Sequence, residues 1–133
     1  MNNEQIGKTI QAIIDKQPGD GSYFPDLDVL QMEIGKWSDY NFPENKPYQP
    51  LLGCQEELGE LAHAHLKHEQ GIRKGIDLSI TIALKEDAVA DIFIYLLDYC
   101  NRSGIVFSEI IKKTWNEVSQ RDWQKCPKNG RTE

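Results

Sequence analysis

The chain has 133 residues, of which 39% are hydrophobic and 27% charged, and this composition fits one folded domain with an adequate core. Its formal net charge of −6 argues against a protein that binds duplex nucleic acid, because such a protein needs a basic surface. A small phosphorylated ligand remains compatible with this charge, since a bound cation can reverse the local electrostatic field.

The cysteines and the N-terminal residues predict a cytoplasmic protein that does not enter a membrane. Cys54, Cys100 and Cys126 are odd in number and lack the spacing of metal ligands, which favours reduced thiols. The first residues contain neither the basic nor the apolar region of a signal peptide. The longest apolar run, residues 88–97, contains Asp91 and is too short to span a bilayer.

Regularly spaced isoleucines predict a helix in an N-terminal extension, residues 1–24. Turn-forming residues at 17–21 end this helix, which we expect to pack on the main body, residues 25–123. The isoleucines are Ile6, Ile10, Ile13 and Ile14.

The main body is predicted to begin with a helix near Asp26, followed by a proline-rich loop from Asn41 to Pro50. Trp37 lies on the apolar side of this helix, so packing is expected to be its main role. Trp37 and Phe42 could also stack on a nucleobase, as aromatic side chains do in other nucleotide sites. The other apolar residues of the stripe are Leu27, Leu30 and Ile34.

An acidic stretch distinguishes the third predicted helix, which follows the loop and runs to about His68. Glu56, Glu57 and Glu60 fall within five residues and, at about 100° of rotation per residue, share one side of the helix. Like charges at this spacing destabilise an isolated helix. Because they border an apolar stripe, we expect a cation to neutralise them. The nearby histidines His63, His65 and His68 are assigned no chemistry.

The fourth predicted helix, from about Lys85 to Ser103, carries a second acidic group, a pair of aspartates. Apolar residues cover nearly its whole circumference, which is typical of a buried helix. Asp87 and Asp91 lie one turn apart on it, and buried carboxylates are costly unless a cation compensates them. The preceding segment, 76–84, alternates like a short strand, but it could equally lead into this helix.

The last predicted helix begins at Ser108 and points Ile111, Trp115 and Val118 inward. A flexible polar tail, residues 124–133, follows it. The chain is therefore expected to form an all-α, four-helix bundle with an extra N-terminal helix. Two of its helices carry carboxylates, whose oxygen atoms favour Mg²⁺ or Mn²⁺ and hence phosphate chemistry.

The acidic motifs resemble those of the MazG-type all-α nucleoside triphosphate pyrophosphohydrolases. That family carries E-E-x-x-E followed by E-x-x-D on the next long helix, and here Glu56, Glu57 and Glu60 match the first motif. The resemblance covers about 26–123. It implies that Glu57, Glu60 and Asp91 are metal ligands and that Glu56 is a ligand or a base that orients water. The reaction implied is hydrolysis of a nucleoside triphosphate to the monophosphate and pyrophosphate.

The resemblance extends to the last helix and to the oligomeric state. Lys113, Asn116 and Arg121 resemble the K…N…R pattern with which the family grips phosphates. The family forms dimers or larger assemblies, which implies a homodimer or homotetramer here. A closed dimer would also cover the apolar sides of the fourth helix. Tyr95 is as compatible with a core position as with a substrate contact.

One family ligand is missing from this sequence. Ala88 stands where the family has the glutamate of E-x-x-D. Asp87, one residue earlier, lies one turn from Asp91 and could reach the metal region, in part through a water molecule. Asp87 could equally be a first-turn residue favoured by the helix dipole.

Two other classes of protein remain open. Glu60 and His63 form an E-x-x-H of the kind found in ferritin-like di-metal carboxylate proteins, although no second such motif is present. The missing glutamate at Ala88 would also suit a helical interaction module whose catalytic site has decayed.

Overall fold

The computed structural model describes residues 2–15, 27–71 and 78–131, and all regular structure in these ranges is helical. This confirms the all-α prediction. Segment 78–84 belongs to a helix and not to a strand, while residues 76 and 77 lie outside the described ranges. The helices are α1 (Asn3–Asp15), α2 (Leu27–Asn41), α3 (Tyr48–Gln70), α4 (Leu78–Ser103) and α5 (Phe107–Val118).

The two long helices, α3 and α4, form the centre of the molecule. They pack along each other, α2 packs on α4, and α5 contacts α2. Leu97 and Cys100 of α4 are almost inaccessible to solvent, and Ala64 of α3 and Ile34 of α2 are also buried. The helices predicted to carry the two acidic motifs are therefore direct neighbours.

The boundaries of α3 and α4 follow from proline and glycine. α3 begins at Tyr48, before Pro50, because a proline in the first helical turn gives up no intrahelical hydrogen bond. The loop predicted for 41–50 is correspondingly shorter. Gly71 ends α3 with a φ of 57°, and Gly104 follows α4 with a φ of 67°. Both glycines adopt the left-handed conformation common after a helix C-terminus.

A glycine allows α3 and α4 to approach closely. A Cβ atom at Gly53 would lie 2.6–2.7 Å from three atoms of the Tyr95 ring. No side chain larger than hydrogen fits that space without displacement of the ring. The Tyr95 ring therefore lies directly on the backbone of α3.

The buried amide of Gln31 joins three helices. It lies in α2, and its Nε2 donates to Asn101 Oδ1 of α4 at 3.1 Å and to Ile105 O at 2.7 Å. Its Oε1 accepts a hydrogen bond from Phe107 N of α5 at 2.9 Å. Every polar atom of this amide is thus bonded, which makes its burial favourable.

The apolar side of α5 is exposed, contrary to the prediction. Trp115 is 63% exposed, and Ile111 and Val118 are also on the surface. The helix packs through its first turn, where the rings of Phe107 and Phe93 meet edge to face. Every residue from 109 to 121 is exposed, so periodicity identified an apolar stripe that the single chain leaves uncovered.

Two further helices are less covered than their sequences suggested. Val89 and Ile94 of α4 are 55% and 40% exposed, so α4 is not buried on every side within one chain. All described side chains of α1 are exposed; those of Ile10, Ile13 and Ile14 lie outside the description. The packing of α1 on the main body therefore stays a prediction. No helix in the described ranges is long and apolar enough to cross a membrane.

Candidate functional site

An open cleft of about 770 Å³ lies between α2, α3 and α4 and the turn after α2. Helix α3 supplies Glu56 and Glu57 to its wall, and α4 supplies Asp91 and Tyr95. The close packing of α3 on α4 brings these four residues together, although more than thirty positions separate the two groups in the sequence. We call their end of the cleft the acidic end.

Glu57 is at the centre of the negative charge. It lies four residues after Gly53 and seven before Ala64, on the side of α3 that is buried against α4. Its partial desolvation raises its pKa, and the negative charges of Glu60, Asp91, Glu56 and Asp87 raise it further, in that order. The charges of the other four carboxylates chosen from the sequence thus reach Glu57 from two helices.

The oxygen donors at the acidic end suit a hard cation, but they do not form a complete coordination shell. In residues 2–15, 27–71 and 78–131, no group of three or more His, Cys, Asp or Glu side chains converges closely enough to hold a metal ion by itself. Mg²⁺ commonly takes one or two carboxylates and fills its other positions with water and substrate phosphates. The arrangement therefore fits such an ion in donor chemistry and charge.

Glu60 and Asp87 lie beyond the cleft. Glu60 lines a second groove, of about 460 Å³, between α3 and the first half of α4. Glu56 borders both the cleft and this groove, so Glu60 is adjacent to the acidic end. Asp87 is exposed and lines neither cavity, and its charge reaches the site only through its effect on Glu57.

Tyr95 combines a packing position with access to the cleft. Its ring lies on Gly53, and it also forms part of the cleft wall. Burial raises the pKa of the Tyr95 hydroxyl, and the charges of Glu57, Glu56 and Asp91 add to this effect. The hydroxyl therefore keeps its proton at neutral pH and can donate a hydrogen bond.

Another part of the cleft wall, from α2 and the turn that follows it, is aromatic. Trp37 is 57% exposed and lines the cleft, so it is not a buried core residue within the single chain, and its role stays a prediction. Its ring meets that of Phe42 edge to face, with 5.6 Å between ring centroids. We call this part of the cleft, with the turn that follows α2, the aromatic end.

The three residues predicted to bind phosphate lie away from the cleft. Lys113 and Asn116 are exposed on α5, and Arg121 is exposed beyond it, 6.0 Å from the centroid of the Trp123 ring. Arg121 lines a small cavity of about 320 Å³ with Glu117, Gln120 and Arg131. Among the described residues that line the cleft, none is a lysine or an arginine.

Sequence reasoning missed several polar residues of the cleft wall. Glu33 of α2 faces the cleft four residues before Trp37, and this helical spacing is a signal that could have placed it there. Ser38, Asn45 and Gln49 also line the wall. The position of Asn45 depends on a turn whose conformation has no periodic pattern in the sequence.

No known protein family, characterised protein or solved structure matches this chain. Its function is therefore inferred from the cleft itself.

Proposed function

We propose that this chain is a Mg²⁺- or Mn²⁺-dependent nucleoside triphosphate pyrophosphohydrolase of the MazG-like type. The observation that carries the proposal is a carboxylate cluster from two packed helices that lines the same cleft as the aromatic side chains of Trp37 and Phe42. A nucleotide has the two matching parts, a charged phosphate chain and a flat ring.

The roles of the acidic residues follow from their positions. Glu57 and Asp91 would hold the cation. Glu60 would contact it from the neighbouring groove, and Asp87 would contact it through water. When bound, the cation neutralises phosphate charge and lowers the pKa of a water molecule. Glu56 borders both the cleft and the second groove, so it would accept the proton of the attacking water.

The proposed reaction breaks the bond between the α and β phosphates. A water oxygen forms a bond to the α-phosphorus, pyrophosphate leaves with the bridging oxygen, and the proton passes to Glu56. The Tyr95 hydroxyl, which stays protonated, donates a hydrogen bond to a phosphate oxygen. The products are the nucleoside monophosphate and pyrophosphate.

The test is a panel of ribo- and deoxyribonucleoside triphosphates with Mg²⁺, read by separate assays for orthophosphate and pyrophosphate. We expect pyrophosphate release that EDTA abolishes and excess Mg²⁺ restores. Glu57→Gln should remove the activity. Glu86, which precedes Asp87 on α4, is exposed, and Glu86→Gln should retain the activity. Release of orthophosphate with a nucleoside diphosphate left behind would exclude cleavage between the α and β phosphates.

We further propose that the working unit is an oligomer, most simply a homodimer. Leu51, Leu58 and Leu66 of α3 are 51%, 52% and 48% exposed and form a stripe on the side away from α4. Exposed apolar residues also continue along α4 and α5. Such a surface is unusual for a stable monomer. A role of Lys113, Asn116 and Arg121 in binding phosphate would require a second chain to bring them to the cleft.

A ferritin-like di-metal protein is the second candidate. Glu60 and His63 line the same groove, as an E-x-x-H pair on one helix requires. Asp91, however, lines the cleft and not this groove. An absorption spectrum recorded after addition of Fe²⁺ and oxygen distinguishes this candidate, because the hydrolase should develop no oxo-bridged iron band.

A further inference from the structure

The aromatic end of the cleft contains side-chain amide atoms that make no hydrogen bond with the described residues. The side chain of Asn45 lines the cleft and makes no hydrogen bond with the described residues. Gln49 Oε1 accepts a hydrogen bond from Lys46 N at 2.6 Å, which leaves the two N–H donors of Gln49 available. Beside the rings of Trp37 and Phe42, the cleft thus offers one free acceptor and several free donors.

A buried arginine holds the turn that carries these groups. The side chain of Arg102 is 9% exposed, and its Nε donates to both carboxylate oxygens of Asp98 at 3.2 Å. Its Nη1 donates to Asn45 O at 2.8 Å, and its Nη2 donates to Phe42 O at 3.3 Å. Nη2 also donates to the hydroxyl of the fully buried Ser38.

These contacts fix the geometry of the aromatic end. One guanidinium bonds the carbonyls at both ends of the turn 42–45 and joins them to α2 through Ser38 and to α4 through Asp98. The rigid planar fork of arginine can make this set of bonds, whereas lysine cannot. The backbone of Phe42 and Asn45 is therefore tied to α2, which carries Trp37, and to α4.

We infer that the aromatic end is a subsite for the nucleobase, with Asn45 as the specificity residue and Arg102 as its positioning residue. Trp37 and Phe42 contact the ring, and the Asn45 amide pairs with the hydrogen-bonding edge of the base. An amide presents an acceptor beside donors, which is the pattern that complements base edges. The identity of the ring as part of a nucleotide rests on the proposed function, but the subsite itself requires neither phosphate nor metal.

The subsite can be tested without hydrolysis. In a Trp115→Phe/Trp123→Phe background, Trp37 is the remaining tryptophan. Its fluorescence is titrated in EDTA with adenosine, guanosine, cytidine and uridine. We expect saturable quenching by at least one nucleoside. Absence of quenching by all four would overturn the subsite.

Substitutions at Asn45 test its role in specificity. Asn45→Asp keeps the size of the side chain but removes its N–H donors, so it should weaken the preferred nucleoside about 10-fold and change the order of preference. Glu44→Gln, an exposed neighbour that does not line the cleft, serves as the control and should change neither. An unchanged order of preference in Asn45→Asp would show that Asn45 does not read the base.

Arg102→Lys tests whether Arg102 positions Asn45. Lysine keeps the positive charge beside Asp98 but cannot make the guanidinium's hydrogen bonds to the carbonyls of Phe42 and Asn45. The substitution should raise KM and weaken nucleoside binding about 10-fold while kcat changes little. A fall in kcat without a change in KM or in nucleoside binding would overturn the positioning role. If Arg102→Lys fails to fold, the Asn45 variants still decide the proposal.

The two proposals fail in different ways. Nucleoside binding without hydrolysis of any triphosphate would contradict the enzyme but retain the subsite. Hydrolysis whose KM and base preference are unchanged in Asn45→Asp would retain the enzyme and contradict the subsite.

Discussion

At the scale of single residues, Glu57 shows how a site can oppose the stability of its own fold. Its carboxylate lies between two helices, where partial desolvation and four neighbouring negative charges raise its pKa. A raised carboxyl pKa means that the folded state holds the ionised form less well than the unfolded state does. A cation bound there would remove this cost, which links metal binding to stability.

We therefore predict that Glu57→Gln stabilises the metal-free protein while reducing turnover by about 100-fold or more. Because the folded pKa of Glu57 is raised, its contribution to native stability falls as pH rises from the ordinary carboxyl pKa through the raised folded pKa. The variant should melt at a higher temperature than the native protein at neutral pH, and this difference should disappear as pH falls below the ordinary carboxyl pKa. Thermal melts by circular dichroism at several pH values measure it.

Mg²⁺ provides the control for this prediction. It should raise the melting temperature of the native protein more than that of Glu57→Gln. A variant that melts below the native protein at neutral pH without metal would contradict the electrostatic account.

The role of Asp87 depends on whether its side chain can reach the proposed metal site. Asp87 is exposed and lines neither the cleft nor the second groove, yet its charge acts on Glu57. If it replaces the glutamate absent at Ala88, Asp87→Asn should raise the Mg²⁺ concentration needed for half-maximal activity by about 10-fold. Ala88→Glu should partly restore the low requirement. Full activity of Asp87→Asn at low Mg²⁺ would show that the other carboxylates suffice.

At the scale of elements, the packing of α3 on α4 depends on one missing side chain. Gly53→Ala would place a Cβ within 2.6–2.7 Å of the Tyr95 ring. Overpacking of this kind costs about 1–3 kcal/mol, which exceeds the roughly 0.5–1 kcal/mol that alanine gains over glycine within a helix. We expect a net loss of stability of about 1–2 kcal/mol in urea unfolding.

Gly59→Ala is the matched control on the same helix. A Cβ there meets nothing within 4 Å, so the substitution should stabilise the protein by about 0.5–1 kcal/mol. Equal effects at the two glycines would mean that the contact with Tyr95 does not limit the approach of the helices.

The helices themselves could be predicted because their signals are local. Period, proline and the glycines at 71 and 104 defined α3 and the C-terminal end of α4 to within a few residues, and the acids fell on the expected helices. The start of α4 was missed, because the helix begins at Leu78 and not near Lys85. Segment 78–84 was ambiguous because isoleucine and threonine suit strands, a preference that is weak and depends on context.

The polar contacts between elements could not be predicted in the same way. Gln31 bonds residues 70 to 76 positions away, and Arg102 bonds residues 57 to 64 positions away. No periodic pattern encodes such pairs. The hydrogen bonds of Arg102 to the turn 42–45 and the position of Asn45 therefore emerged from the structure alone. Exposure of the α5 stripe was missed because periodicity identifies an apolar side but not what covers it.

At the scale of the whole molecule, a single chain leaves much apolar surface uncovered. Leu58 of α3, Val89 of α4 and Trp115 of α5 are each more than half exposed. Dimer interfaces are typically more apolar than the rest of a protein surface, and a closed two-fold dimer is the commonest way to bury such area. The arrangement therefore favours association of two chains.

The final prediction is that the protein is a dimer, of twice the 15.3 kDa chain mass, and that the α3 stripe lies in its interface. In a two-fold dimer, Leu58→Glu introduces a charge from each chain into the buried surface, so it should yield monomers in light scattering at micromolar concentration. Met32→Glu, at an equally exposed apolar position on α2, is the control and should remain dimeric. Because Leu58 is exposed on the side of α3 away from α4 and does not line the cleft, a monomeric Leu58→Glu protein should still bind nucleosides. Its hydrolysis should fall if Lys113, Asn116 and Arg121 act from the second chain. A native protein that is monomeric and fully active at the same concentration would contradict both the interface and that division of roles.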